Sequence, residues 1–178
     1  MTEEEYRQAI ELLDWEGLRQ LWQAIQLGTT PGWAAGKAFE YAVLRAFELD
    51  GANVRYPFTI VLDGQTVEQI DGVVHVGALS CLIESKDYGV NINFEPLAKM
   101  RSQLLRRPAA TIGSIFTTSS FTAPALTLAR FLAPQTILLW EAAHFDYALR
   151  HERIADLLVR KYQWCIETGE PDFDVTLL

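Results

Sequence analysis

Residues 69–86 read Gln-Ile-Asp-Gly-Val-Val-His-Val-Gly-Ala-Leu-Ser-Cys-Leu-Ile-Glu-Ser-Lys, two apolar segments around a Gly-Ala turn. If residues 79–86 form a strand, its side chains alternate between faces, so Glu84 and Lys86 point the same way. If residues 67–76 form the preceding strand, a hairpin through Gly77 and Ala78 brings Asp71 alongside that pair. Two carboxylates and an amine then converge at one end of a sheet. Mg2+ prefers such oxygen ligands, usually one or two carboxylates completed by waters and substrate phosphate. Asp71 and Glu84 supply the carboxylates here, and the backbone carbonyl of Ser85 adds another oxygen. Phosphodiester hydrolysis uses such a cation to neutralise charge in the transition state and to lower the pKa of a water. Lys86 beside a dication is placed to orient or deprotonate that water, because nearby positive charge lowers an amine's pKa.

Upstream, Val54, Tyr56, Phe58, Ile60 and Leu62 alternate along residues 53–62, and Asp63-Gly64 is a hairpin turn signal. Three consecutive antiparallel strands are therefore expected. Residues 3–27 have helical spacing, with a break near Gly17, and Gly28 ends them. Thr29-Thr30-Pro31 predicts the start of the next helix, with a hydroxyl cap and proline in the first turn. Phe39, Val43, Ala46 and Phe47 form its buried stripe, Asp50-Gly51 ends it, and Glu40 lies at the edge of the stripe. The glycine-lysine run Gly32-Trp33-Ala34-Ala35-Gly36-Lys37-Ala38 is not a phosphate loop. Only three residues separate its glycines, Ala38 stands where a hydroxyl is required, and no strand precedes it.

Downstream, residues 94–107 are helical until Pro108, with Leu97, Met100 and Leu104 facing inward. Lys99, Gln103, Arg106 and Arg107 recur on another face of that helix. This basic stripe directly follows the Glu84-x-Lys86 strand and suits backbone phosphates. Residues 111–117 form a β-branched strand, and the polar run Thr118 to Thr122 caps a helix over about residues 123–131. A buried strand follows at 136–140, and the intervening helix makes the last two strands parallel neighbours. A final helix is expected over 145–167, with a mobile tail at 171–174. The order helix, three strands, helix, strand, helix, strand predicts an α/β fold with a central mixed sheet flanked by helices.

The 178 residues are most simply one domain with a full core. Its expected parts are a helical extension at 1–28 packed on the core, the core at 29–150, and a C-terminal helix and tail at 151–178. Cys81 and Cys165 lie too far apart in sequence to suggest a disulfide framework or a zinc site. No apolar run is long enough to span a membrane. The first residues are acidic rather than basic-then-apolar, so a cytoplasmic location is expected. The net charge of −8 is held by the two ends, −4 in residues 1–28 and −4 in 141–178, while the middle is neutral. The basic cluster of Lys99, Arg101, Arg106 and Arg107 thus keeps a local field that the sum conceals.

Asp71 followed by Glu84-Ser85-Lys86 resembles the Asp…(Asp/Glu)-x-Lys signature of the restriction-endonuclease-like nuclease superfamily. Ile115-Phe116-Thr117-Thr118-Ser119-Ser120-Phe121-Thr122, then Ala125, Ala129 and Ile137-Leu138-Leu139-Trp140, resembles its Mrr-type branch. Gly36-x-x-Phe39-Glu40 is similar to the glutamate-bearing first helix of that branch, and Gln69-Ile70-Asp71-Gly72 to its strand before the catalytic pair. The resemblance covers about residues 33–150 with its pieces in the right order. It implies a restriction-endonuclease-like three-layer sandwich and a Mg2+-dependent endonuclease acting on DNA, with Mn2+ as a substitute cation. It further implies Asp71 and Glu84 as metal ligands, Lys86 as the catalytic lysine, Glu40 as an auxiliary acid and Gln69 as a site-lining residue. A homodimer would provide a second site for the second strand. The alternative is a non-catalytic interaction or assembly module that keeps the fold, a reading favoured by the acidic ends.

Overall fold

The computed structural model describes residues 1–132 and 134–178. The helices α1 (Glu3–Glu11), α2 (Trp15–Gln26) and α3 (Lys37–Leu49) come first. The strands β1 (Asn53–Arg55), β2 (Phe58–Leu62), β3 (Gln65–Ile70), β4 (Gly72–Val76) and β5 (Leu79–Lys86) follow. Then come α4 (Glu95–Leu104), β6 (Thr111–Thr117), α5 (Ala123–Ala129), β7 (Ile137–Trp140), α6 (Ala142–His151) and α7 (Ile154–Thr168).

The central sheet has the order β1-β4-β5-β6-β7. β1, β4 and β5 pair antiparallel, whereas β5, β6 and β7 run parallel. The two-residue alternation of its strands feeds two cores. Leu138 and Trp140 face a core built with α1, α2, α3, α6 and α7, while Ile137 and Leu139 face one built with α4 and α5. The result is a three-layer α/β sandwich on a mixed sheet. α3 is buried almost all round, from Ala38 and Phe39 through Phe47, because α1 and α2 cover the side it turns away from the sheet. At Gly72, a methyl group would overlap Leu44 of α3 and lie 3.2 Å from the Arg55 carbonyl. Glycine therefore lets β4 lie against α3 immediately after Asp71.

Several local expectations are corrected. α1 and α2 part at Asp14 rather than Gly17, because the Asp14 carboxylate accepts the Gly17 amide and caps α2. Thr29 closes α2 instead of opening α3: its amide and hydroxyl both reach the Ala24 carbonyl. α3 starts at Gly36, whose φ of 78° turns the chain into the helix. The alternating segment 53–62 is two strands, broken at Tyr56-Pro57, where proline offers no amide to a ladder. β2 and β3 form a separate two-stranded ribbon, with Asp63 and Gly64 at φ 50° and 76° as its two-residue turn. β1 leads into this ribbon, the ribbon returns into β4, and Asp71 is the residue at its base.

The C-terminal helix is also divided. Glu152 takes a left-handed φ of 54°, and Asp50 at the end of α3 accepts the Ala155 amide at 2.6 Å, capping α7. The tail expected to be mobile is packed instead. The Pro171 carbonyl accepts the Leu139 amide at 3.0 Å, covering the edge of β7, and Phe173 stacks on Trp164. Fully buried Lys161 donates to the Phe173 carbonyl, with its amine 5.1 Å from the Trp140 ring centroid.

Burial pulls the Lys161 pKa down to about 7, against the opposing charges of Asp172, Asp174 and Glu141. Below that value the folded protein carries a buried charge, and above it unfolding takes up a proton, so this lysine's contribution to stability rises with pH. The melting temperature of the wild type relative to Lys161→Met is therefore expected to climb between about pH 7 and about pH 9. A difference that stays flat across this interval would overturn the assignment.

Candidate active site

Asp71 joins the ribbon to the sheet, and the pairing of β4 with β5 brings it to the C-terminal end of β5. Gly72 opposes Ile83 in the antiparallel register, one residue before Glu84. The contact is direct: Asp71 Oδ2 accepts the Ser85 amide at 2.9 Å. Glu84 and Lys86 share the face of β5 turned toward α4, and the Lys86 amine is ion-paired with Glu84 Oε1. Glu84 is 1% exposed, which is rare for a carboxylate and requires paired charge.

That pairing has a second donor. Lys99 of α4 reaches the same carboxylate, 2.8 Å from Oε1 and 2.9 Å from Oε2. Its stem remains 45% exposed, so it enters from the solvent side. The helix face expected to carry Lys99, Gln103, Arg106 and Arg107 toward phosphate is thus divided among several partners. Gln103 is 3% exposed and donates to the Gln69 carbonyl, anchoring α4 to the ribbon. Arg106 and Arg107 both pair with Glu68 of β3. Arg106, at 52%, and Lys99 are the members left substantially exposed. These residues and the ribbon border a groove of about 260 Å³ beside the site, lined by Gln69, Lys99, Ser102 and Arg106 among others.

Glu40 approaches from α3, on the other side of the sheet end. It is held by Lys37 at 2.8 Å, and Lys37 in turn pairs with Glu3 of α1 at 3.1 Å. Burial, and next the charge of Asp71, push the Glu40 pKa up to about 7, so the two carboxyl groups sense each other. Burial and the Glu84 charge likewise raise Asp71, opposed by the Ser85 amide and the two lysines. For Lys86, burial pulls the pKa down, but Glu84's charge and hydrogen bond and Asp71's charge outweigh it, and the value ends above that of a free lysine. Lys86 is accordingly an ammonium here and acts as a donor.

Mutual repulsion among carboxylates gathered at a sheet end is what a hard dication relieves, so the donor chemistry fits Mg2+. Among the described residues, no three His, Cys, Asp or Glu side chains gather closely enough to hold a metal. His75 bonds Ser80 on the sheet surface, and buried His144 faces Asp174 at 3.4 Å, both away from this cluster.

The Mrr catalytic-domain family model, a restriction endonuclease, matches residues 34–149. That span contains Glu40, Asp71, Glu84, Lys86 and Lys99. The chain belongs to this restriction endonuclease family. No curated protein matches it significantly. Among solved structures, this Mrr-type chain is similar to the small subunit of the heterodimeric restriction endonuclease R.BspD6I. The two share 14% identity with a TM-score of 0.52, over 82% of this chain and 88% of that one. At this identity the likeness concerns the fold, and it supports the restriction-endonuclease-like sandwich. A protein of unknown function, AF1548, is similar at 17% identity and a TM-score of 0.46, over 67% of this chain. The chain spans 58% of that protein's length. No described helix of this Mrr-type chain is long and apolar enough to cross a membrane.

One group of the site, Lys37, and one pairing, that of Lys99 with Glu84, are not foreseen in the sequence. Lys37 carried a weak signal, standing three residues before Glu40 on one helix. Lys99 was assigned to a face rather than to a partner, and nothing in helical periodicity reveals which carboxylate an outward lysine meets.

Proposed function

We propose that the chain is a Mg2+-dependent endonuclease that hydrolyses DNA phosphodiester bonds. The observation that carries this reading is a buried Glu84, paired with Lys86 and adjoining Asp71, at the end of β5 in a restriction endonuclease family domain. Asp71, Glu84 and the Ser85 carbonyl are the oxygens offered to the cation. A bound cation would neutralise charge on the phosphate and make a water acidic enough to attack. Lys86, an ammonium held against Glu84, orients that water or a phosphate oxygen by donating to it. Glu40, at a pKa of about 7, is the group on the α3 side able to exchange a proton near neutrality. Arg106, exposed on the groove rim, supplies a backbone-phosphate contact.

Incubation of the purified protein with supercoiled plasmid is expected to give nicked and linear DNA with Mg2+ or Mn2+ and none with excess chelator. Cleavage that persists in chelator would reject the metal-dependent mechanism. A second reading, a non-catalytic module of a larger nuclease assembly, is favoured by the saturation of both Glu84 oxygens by ammonium groups. Intact plasmid under all cation conditions would support it.

A further inference from the structure

We propose that Lys99 is a built-in counter-ion that occupies Glu84 in place of a cation and passes to the substrate phosphate when the cation arrives. The inference deepens the endonuclease reading and rests on its cation site.

The geometry carries it. Glu84 has two carboxylate oxygens: Lys86 takes Oε1, and Lys99 takes both. A cation drawing on Glu84 therefore has to displace an ammonium, and the two lysines differ in how readily they leave. Lys86 is on the same strand, two residues away, and its side chain is 16% exposed. Lys99 arrives from α4 with its side chain 45% exposed, so water is available to its ammonium as soon as it lets go. Its flexible stem emerges into the groove between α4 and the ribbon, lined by Gln69, Ser102 and Arg106. Besides Lys99, Arg106 is the cationic residue lining that groove, and it already pairs with Glu68. A phosphodiester in the groove would find in the released Lys99 a cation without a carboxylate partner.

Two consequences follow from one exchange. Without cation, Lys99 keeps the buried Glu84 compensated, which removes the cost of an unpaired buried charge. With cation, the same ammonium becomes available to the substrate, so cation and phosphodiester strengthen each other's binding, as thermodynamic linkage requires.

The test is calorimetric titration of MgCl2 into wild type, Lys99→Met and Lys99→Arg proteins, checked for folding by circular dichroism. Loss of a charge-assisted hydrogen bond that competes with the cation should tighten Mg2+ binding of Lys99→Met by roughly tenfold, with Lys99→Arg near wild type. A phosphorothioate-backbone oligonucleotide, which resists hydrolysis, should tighten Mg2+ binding of the wild type several-fold and leave Lys99→Met unchanged. Lys99→Gln serves in the same role where the methionine variant does not fold. If the wild type binds Mg2+ and Lys99→Met binds it equally or more weakly, Lys99 does not compete and the proposal falls while the cation site stands. Equal tightening of both proteins by the oligonucleotide removes the transfer to phosphate. Absence of Mg2+ binding in every protein overturns the cation reading and this proposal together.

Discussion

Lys86→Ala protein is expected to cleave plasmid DNA at least about a thousandfold more slowly than wild type at saturating Mg2+, within the range attributed to a positioned proton donor or acceptor. The effect should lie in the rate rather than in the fold, for a reason specific to this site. Removing Lys86 leaves Glu84 paired with Lys99 through both oxygens, so the buried carboxylate is still compensated. The melting temperature should therefore stay within a few degrees of wild type. Glu84→Gln is the companion experiment. It keeps the shape of the side chain but removes the charge that both lysines face and that a cation would use. It should abolish cleavage and Mg2+ binding together, whereas Lys86→Ala should retain Mg2+ binding. Cleavage by Glu84→Gln at the wild-type rate would sink the assignment of this residue.

The contrast between the two lysines shows how far a sequence of this kind can be read. β5 and β6 were legible to the residue, because an unbroken β-branched or apolar run between polar ends has one interpretation in a buried parallel pair. The same pattern placed Glu84 and Lys86 on one face, since strand alternation is a local property. The Gly77-Ala78 turn likewise set Asp71 opposite them. What could not be read were choices of partner. The segments around Asp63-Gly64 announced a hairpin, but not that this hairpin leaves the central sheet and returns at Asp71. The division of α6 from α7 depends on a cap from Asp50, 105 residues from the amide it accepts. Lys99 and Arg106 share a helical face in sequence, yet one meets Glu84 and the other Glu68, because β5 and the ribbon present different acids to the same helix. Charge patterning gives the face, and tertiary structure gives the counter-ion.

Trp140→Ala is expected to have the largest effect on stability, about 3–5 kcal/mol, the usual cost of removing a large buried aromatic side chain. In a chain of this size, that corresponds to a fall in melting temperature of roughly 10 °C or more. Trp140 ends β7 with no exposed surface and stacks on Phe116 of β6 at 4.7 Å and 18°. Phe116 in turn meets Phe47 of α3 and Phe145 of α6 edge to face, so one ring ties the sheet to two helices. The indole face also covers the buried amine of Lys161, which would lose its aromatic neighbour in the variant. Trp140→Phe should cost much less than its volume change implies. Phenylalanine keeps a ring for the stack on Phe116 and gives up no hydrogen bond to a described residue. Urea denaturation should show both losses as a lower midpoint at unchanged slope. Trp140 faces the core opposite the Glu84–Lys99 cluster, so the folded fraction of either variant should bind Mg2+ as wild type does. A Trp140→Ala loss below about 1 kcal/mol would mean that the stack merely fills space and that the sheet is held to α3 and α6 by other contacts.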